Sequence, residues 1–373
     1  MKTKLLKMPP MLLLLLFAVF IIKSPDTAAK CVSQSLKLSA SKLIPALFPF
    51  FVLSSSLRGL GIARTLSRTL NKPFRLLFGV SGSGALPLIL GFTGGYPVGV
   101  KTVCDMHANG EISKTAAGRL LLFCGNTGPA FILGAAGAGL FASSRLGFVL
   151  YLAHILSAVF IGIFCRLLLG NIDDSEILPQ ASSESFAKIF TDAVSDSAFS
   201  CLNVTSYVVL FSLFAGVCNV FGITDIFTFA AAKLSFDPIH TRAVFTGFLE
   251  LGSGIDALYP FAQSLSFSLP ACAFFLGWGG ISVHCQAMSF INREGLSARF
   301  YILSKFAHGL LSALLVSFWL NFGGHKSVFA FIGHDTVKGF LFDYLGLFFS
   351  IACALSALFL HILRSIKHRK RKG

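Results

Sequence analysis

Apolar stretches with almost no charged residues follow one another along most of the chain. Many are as long as a membrane-spanning helix, the others are shorter, and short polar segments separate them. They cover residues 11–22, 43–57, 76–100, 120–144, 146–165, 197–224, 243–255, 257–292, 306–324 and 344–363. This pattern predicts an all-α, polytopic membrane protein with about ten transmembrane segments.

Two of these stretches leave alternatives open. Residues 43–57 are short and contain Pro45 and Pro49, so they either span the bilayer or form a re-entrant piece. The N-terminal stretch follows three lysines, as in a secretory signal peptide. It is either cleaved or retained as the first span.

The composition agrees with a membrane protein. Of the 373 residues, 54% are hydrophobic and only 13% are charged, and the mean hydropathy is +0.77. A soluble domain has about a quarter charged residues. This composition therefore excludes a soluble enzyme, a secreted disulfide scaffold and a disordered chain.

The charge is strongly one-sided. There are 31 Lys and Arg residues against 16 Asp and Glu, which gives a net charge of +15. In a polytopic protein, basic loops fix the topology and contact anionic headgroups, so the bilayer is the expected partner and nucleic acid is not. Several basic residues follow the last apolar stretch directly: Arg364, Lys367, Arg369, Lys370, Arg371 and Lys372.

The positive-inside rule predicts the side of each loop. The basic loop 58–75, Arg145 and the C-terminal tail are expected in the cytoplasm, and the acidic loop that contains Asp173 and Glu184 outside. Ten crossings satisfy these assignments; alternatively, one of the two short stretches is a hairpin that enters and leaves on the same side. The same topology places three basic residues outside: Lys101, Lys114 and Arg119.

These signals divide the chain into five segments. Residues 1–40 form the signal peptide or signal anchor with an external linker, and residues 171–195 form an acidic external linker. Residues 41–170 and 196–322 are expected to form two repeats. Residues 323–373 contain the last transmembrane helix and the basic tail.

Glycine-rich interruptions occur at matching places in the two repeats. The block that starts at Gly91 precedes Asn126 by 35 residues, and the block that starts at Gly247 precedes Ser282 by the same distance. Paired interruptions of this kind indicate the binding site of a transporter; alternatively, the glycines only permit close packing of helices. The predicted backbone breaks are Gly91, Gly94, Gly95, Pro97, Gly128, Pro129, Gly252, Gly254, Gly279 and Gly280.

Polar side chains among these glycines are candidates for binding a substrate or an ion. Irregular backbone at membrane depth persists only where it lines a cavity or is buried in protein. Glu250 stands out, because a carboxylate within an apolar stretch is costly unless it is paired or hydrated. It would carry a proton, bind a cation or accept a substrate donor; alternatively, it begins a loop near the headgroups. The candidates are Asn126, Thr127, Glu250, Ser253, Ser282, His284 and Gln286.

The motifs of soluble enzymes are missing from the sequence. It contains neither a phosphate-binding P-loop nor a His-Glu-x-x-His pair, and residues 81–84 lack the spacing of a nucleophile elbow. We therefore predict neither a catalytic residue nor a metal site nor a cofactor.

Four motifs resemble the sporulation integral membrane protein YlbJ family. They are the proline-rich block 43–51, Gly-Phe-Thr-Gly-Gly-Tyr-Pro-Val-Gly-Val-Lys at 91–101, Asn-Thr-Gly-Pro at 126–129 and Gly-Ile-Ser-Val-His-Cys-Gln at 280–286. That family is similar to the gate, or nucleoside-recognition, domain of several transporters. The resemblance implies a multi-pass protein in the plasma membrane of an endospore-forming bacterium, linked to spore cortex formation.

Two functional hypotheses follow. In the first, a transporter-like gate moves or senses a small solute, driven by a coupling ion or by the gradient of the solute itself. In the second, the protein is a membrane scaffold for spore-envelope assembly with an idle gate. A homo-oligomer and spore-envelope proteins are further partners consistent with either hypothesis.

Overall fold

The computed structural model describes residues 8–172, 184–233 and 235–321, and these residues form helices and connecting segments only. The first part contains α1 (Met8–Lys23), α2 (Pro25–Leu38), a π-helix (Ser39–Leu43), α3 (Ile44–Gly59), α4 (Ile62–Thr69), α5 (Asn71–Phe78), a 3₁₀ turn (Gly82–Gly84), α6 (Ala85–Gly94), α7 (Val98–Ala108), α8 (Lys114–Cys124), a second π-helix (Ala130–Leu140) and α9 (Ser144–Leu169). The predicted all-α class is confirmed for these residues.

The second part is built in the same way. It contains α10 (Phe186–Val220), α11 (Ile223–Ala232), α12 (Pro238–Leu249), α13 (Leu251–Ala257), a 3₁₀ turn (Tyr259–Phe261), α14 (Leu265–Trp278), α15 (Gly280–Arg293) and α16 (Arg299–Trp319).

The elements follow one order in both parts. A long helix ends at a glycine in the left-handed region, Gly61 with φ 75° in the first part and Gly222 with φ 64° in the second. Short helices follow, then a helical hairpin, an interrupted helix and a last long helix. Both glycines sit where a side chain would strain the backbone, and they let the chain turn sharply.

Two of the expected spans are hairpins. Helices α6 and α7 pack against each other on either side of Gly95, and α12 and α13 do the same on either side of Glu250. Residues 76–100 therefore do not form one straight span. Apolarity alone does not distinguish a span from a hairpin buried within the protein.

The predicted sides of several loops are wrong. Arg58 Nη1 lies 3.7 Å from Glu111 Oε1, and Arg119 donates to the carbonyl oxygens of Gly79, at 3.3 Å, and Gly170, at 2.5 Å. The basic loop 58–75, residues 101–119 and the start of the linker at residue 171 thus lie at one end of the bundle. The hairpin returns the chain to the end it came from, whereas the ten-crossing topology placed residues 101–119 and the linker opposite Arg58.

Arg145 consequently lies at the other end of the bundle from Arg58. It belongs to the first turn of α9, a helix of 26 residues that finishes beside Gly79. A helix of that length extends roughly 39 Å.

Four described helical stretches are long and apolar enough to cross a bilayer: Ser144–Leu169, Phe186–Val220, Arg299–Trp319 and Leu265–Arg293, in which α14 and α15 follow each other across Gly279. The number is six if two bent pairs each form one span, and one of these pairs joins α2 to α3 at 51°. A bent pair is either a broken span or a re-entrant piece, so both alternatives for residues 43–57 stay predictions. The total of about ten stays a prediction, and the expected last span, the basic tail and Asp173 lie outside the described residues.

Helix α14 lies at the centre of the bundle, with nearly all of its side chains buried. It approaches α16 closely, because a Cβ atom on Gly277 would lie only 2.6 Å from the Cα atom of Gly309. This close contact between helices fixes the position of the interruption that follows α14.

Candidate functional site: the junction of the hairpin tips and helix breaks

Four irregular segments meet at the centre of the structure. We call residues 94–97 tip 1, residues 125–129 break 1, residues 249–251 tip 2 and residues 277–280 break 2. Thr127 Oγ1 in break 1 donates to the Leu276 carbonyl beside break 2, at 2.7 Å. Tyr96 in tip 1 donates its hydroxyl to the Gly277 carbonyl, at 3.3 Å. The interruptions of the two parts therefore contact each other directly.

Glycines allow these segments to approach. A Cβ atom on Gly95 would lie 2.6 Å from the Gly128 nitrogen, and one on Gly280 would lie 3.0 Å from the Leu251 nitrogen. Gly279 and Gly280 also have φ values of 84° and 81°, which side-chain-bearing residues rarely adopt. A larger residue at these positions would separate tip from break.

The predicted backbone breaks fall into two groups. Helices end or start at Gly94, Gly95, Pro97, Gly128, Pro129, Gly279 and Gly280.

Gly91, Gly252 and Gly254 instead lie within helices and interrupt nothing. Gly91 and Gly254 have a packing role. A Cβ atom added to Gly91 would lie 2.1 Å from the Cys124 carbonyl oxygen, and one added to Gly254 would lie 2.2 Å from the Gly247 Cα.

A cavity of about 930 Å³ opens beside the junction. Tip 1, break 1, tip 2, α13 and α15 contribute to its wall. Further lining residues come from α2, α3, the second π-helix, α10 and the 3₁₀ turn that starts at Tyr259. Its volume falls within the usual range for small-molecule sites. Four of the predicted binding residues line it: Thr127, Glu250, Ser253 and Gln286.

Glu250 forms the tip of the second hairpin and is half-buried. Its carboxylate accepts hydrogen bonds from the backbone N–H groups of Gly252, at 2.9 Å, and Ser253, at 2.6 Å. It thus caps α13, where the helix dipole favours a negative charge. Two hydrogen bonds leave acceptor positions of the carboxylate free for a ligand in the cavity.

The other three candidates, Asn126, Ser282 and His284, lie behind the cavity wall. Asn126 donates to the Phe123 carbonyl at 3.0 Å. Neither the Ser282 hydroxyl nor either ring nitrogen of His284 has a hydrogen-bond partner among the described residues. The His284 ring packs edge-on against Trp278, with centroids 4.1 Å apart. These residues shape the junction and do not line the cavity.

A buried basic network supports break 1. Lys305 of α16 is fully buried and donates to the Gly125 carbonyl oxygen and, at 2.8 Å, to His308 Nδ1. His308 Nε2 lies 3.0 Å from the His154 carbonyl oxygen, and His154 Nε2 accepts from the Thr127 N–H at 3.0 Å. The network satisfies backbone groups that the interrupted helix leaves without helical partners.

The sequence interpretation missed Lys305 and His308. The apolar stretch 306–324 begins one position after the lysine, whereas α16 starts at Arg299. The available signal was a Lys and a His three positions apart on one helical face, in a segment long enough to span.

Several apolar helices long enough to cross a bilayer, together with the comparisons that follow, define a multi-pass α-helical membrane protein of transporter or structural type. The family model described as Gate, nucleoside recognition, matches residues 40–165. Over 320 residues the chain is 26% identical to the sporulation integral membrane protein YlbJ of Bacillus subtilis (strain 168), an alignment that covers 79% of this chain and 78% of that relative. The resemblance carried by the four motifs is confirmed. No solved structure matches the chain.

Proposed function

We propose that the protein is a gate-type membrane protein of endospore formation that binds a small solute in the central cavity and moves or senses it. The observation that carries this proposal is the contact between break 1 and break 2 beside a cavity lined by Glu250. The similarity to YlbJ supports the link to sporulation and to the plasma membrane.

We also propose that residues 41–170 and 196–322 are inverted repeats. The order of elements is the same in both, and the corresponding long helices α3 and α10 run in opposite directions. Gly59 at the end of α3 packs against Ile189 near the start of α10, and Ser212 towards the end of α10 donates to the Cys31 carbonyl of α2, at 3.3 Å. Inverted repeats with broken helices are the architecture of many transporters that alternate access around a central site.

The basic end of the bundle is suited to anionic headgroups. Arg64 and Arg68 on α4 and Lys72 on α5 are exposed, next to the exposed apolar side chain of Leu76. Basic and apolar groups on neighbouring short helices are typical of an interfacial position. We propose that this end contacts anionic lipid.

Replacement of Glu250 by Gln tests the proposed function. The variant keeps the size of the side chain and removes its charge, so we expect sporulation to fall at least about tenfold while the amount of protein in the membrane stays normal. Asp192→Asn, which changes an exposed carboxylate on α10 away from the cavity, is the matched control and should sporulate normally. Normal sporulation of the Glu250→Gln strain would contradict solute transport and favour the scaffold.

A further inference from the structure

Both charged residues among the described residues of the cavity wall are acidic. Glu250 and Asp256 contribute carboxylates, and no Lys, Arg or His is among the described residues that line the cavity. Neither carboxylate has a salt-bridge partner among the described residues, in a protein with an excess of basic groups. A solute that carries phosphate or carboxylate groups would be repelled here, whereas a cation would be attracted.

Aromatic rings line the same cavity. Phe50, Phe131, Phe211 and Tyr259 contribute to its wall. The faces of aromatic rings attract ammonium groups as well as apolar surface. Together with the carboxylates they suit a solute with a charged amine and an apolar body.

A largely buried glutamine of the wall has no hydrogen-bond partner for its side chain among the described residues. Gln286 is only 5% exposed, it lines the cavity, and its side chain makes no hydrogen bond to any described residue. The amide is accessible from the cavity, so a donor or acceptor on a bound solute can hydrogen-bond it there. This observation is independent of the carboxylates and also points to a ligand.

The buried lysine does not cancel the negative wall. Lys305 lies outside the set of lining residues, and its ammonium group is held by the Gly125 carbonyl and by His308. The ring of Tyr96 lies beside it, with the ammonium nitrogen 5.5 Å from the ring centroid. The lysine nitrogen is therefore directed to break 1 and contributes no atom to the cavity wall.

We infer that the cavity takes an organic cation, an amine with an aromatic or apolar body, whose ammonium group binds Glu250 and Asp256. This inference rests on the proposed function, since it names the class of solute for the same cavity. The amine would lie between the two carboxylates and the aromatic rings, and Gln286 would hydrogen-bond a polar group of its body.

The test compares three probes with the same ring and different charge: 2-phenylethylammonium, 2-phenylethanol and 3-phenylpropanoate. The full-length protein is reconstituted in nanodiscs of neutral phosphatidylcholine, and binding is measured by titration calorimetry against empty nanodiscs. We expect the cation to bind at least about tenfold more tightly than the neutral and anionic probes.

Two variants test whether the preference for the cationic probe depends on the carboxylates of the cavity wall. Asp256→Asn leaves the cap of α13 intact and should weaken cation binding at least about threefold, and Glu250→Gln at least about tenfold. Asp192→Asn should bind like the unmodified protein. Binding of all three probes with equal affinity, an unchanged cation affinity in Asp256→Asn and Glu250→Gln, or no binding of any probe would each overturn the inference.

The binding test of the substrate class and the sporulation test of the proposed function can fail independently of each other. If Glu250→Gln blocks sporulation but the probes show no preference for the cation, the solute-binding role stands and only the substrate class is wrong. If Glu250→Gln sporulates normally, the proposed function fails whatever the probes do.

Discussion

At the scale of single residues, the junction depends on polar groups that replace missing helical hydrogen bonds. Thr127 bonds through its hydroxyl to Leu276 O and through its N–H to His154 Nε2, so one residue connects break 1 to α14 and α9. Lys305 does the same for Gly125. A helix break at membrane depth is stable only with such partners, which explains why the polar side chains concentrate here.

Thr127→Val tests the direct contact between the breaks. Valine keeps the shape but leaves the Leu276 carbonyl without its hydroxyl donor, so we expect a loss of about 1–3 kcal/mol in stability. The measurement is thermal unfolding of the purified protein in detergent. Thr191→Val is the control, because the Thr191 hydroxyl donates only to the Ala187 carbonyl one turn earlier on an exposed face. A loss of the same size in both variants would show that the contact contributes nothing specific.

The ionisation of the Glu111 carboxyl group is expected to make the stability of the protein depend on pH. Burial raises its pKa from 4.5 to about 7, against the opposing effect of Arg58. Between these two pH values the folded protein holds a proton that the unfolded chain releases, so stability falls as pH rises through this window, by about 3–4 kcal/mol at most.

Thermal unfolding at pH 5 and pH 8 checks this prediction. Glu111→Gln cannot ionise and should lose this part of the pH dependence, with its largest gain in stability at pH 8. An identical pH dependence in the variant and the unmodified protein would contradict the assignment.

At the scale of elements, each hairpin packs closely through glycines that lie against another glycine or against backbone atoms. Gly91 in α6 and Gly99 in α7 both lie against the Cys124 carbonyl oxygen, and a Cβ atom would come within 2.1 Å and 2.0 Å of it. In the second hairpin Gly247 and Gly254 approach each other in the same way. Small residues thus bring each hairpin close to the interrupted helix beside it.

Gly91→Ala is expected to disrupt this packing. The added methyl group would overlap the Cys124 backbone, which cannot move freely, so we predict a loss of about 1–3 kcal/mol or misassembly. Gly118→Ala is the matched control, because Gly118 also lies within a helix but a Cβ atom added there would have nothing within 4 Å. Alanine at this position should leave stability unchanged or raise it by up to about 1 kcal/mol. Thermal unfolding of both variants measures these changes in stability. An unchanged stability of the Gly91→Ala variant would refute the packing role of Gly91.

At the scale of the whole molecule, the sequence predicts the class and the positions of the breaks better than the topology. The helix ends at Gly95 in tip 1 and at Gly279 in break 2 follow from glycines in apolar surroundings. Both are where the sequence places them. The hairpin within residues 76–100 could not be told from a span, since both are apolar when buried in protein. That one ambiguity reversed the predicted side of Arg145 relative to Arg58.

Which candidates reach the cavity also lay beyond the sequence. His284 and Gln286 are two positions apart on α15, which places them on nearly opposite faces of the helix, and only Gln286 lines the cavity. The phase of the helix is set by its packing against the neighbouring helices. A pattern of polar residues among glycines identifies the region of the candidate site but not the helix face that lines the cavity.

The central claim is that the interruptions of both halves meet beside a cavity lined by Glu250. A cryo-EM structure of the full-length protein in a lipid nanodisc tests it most directly. The account predicts interrupted helices at residues 95–97 and 279, Thr127 Oγ1 within about 3 Å of the Leu276 carbonyl oxygen, and Glu250 at the cavity. Continuous helices through these positions, or a Glu250 side chain in bulk solvent, would contradict it.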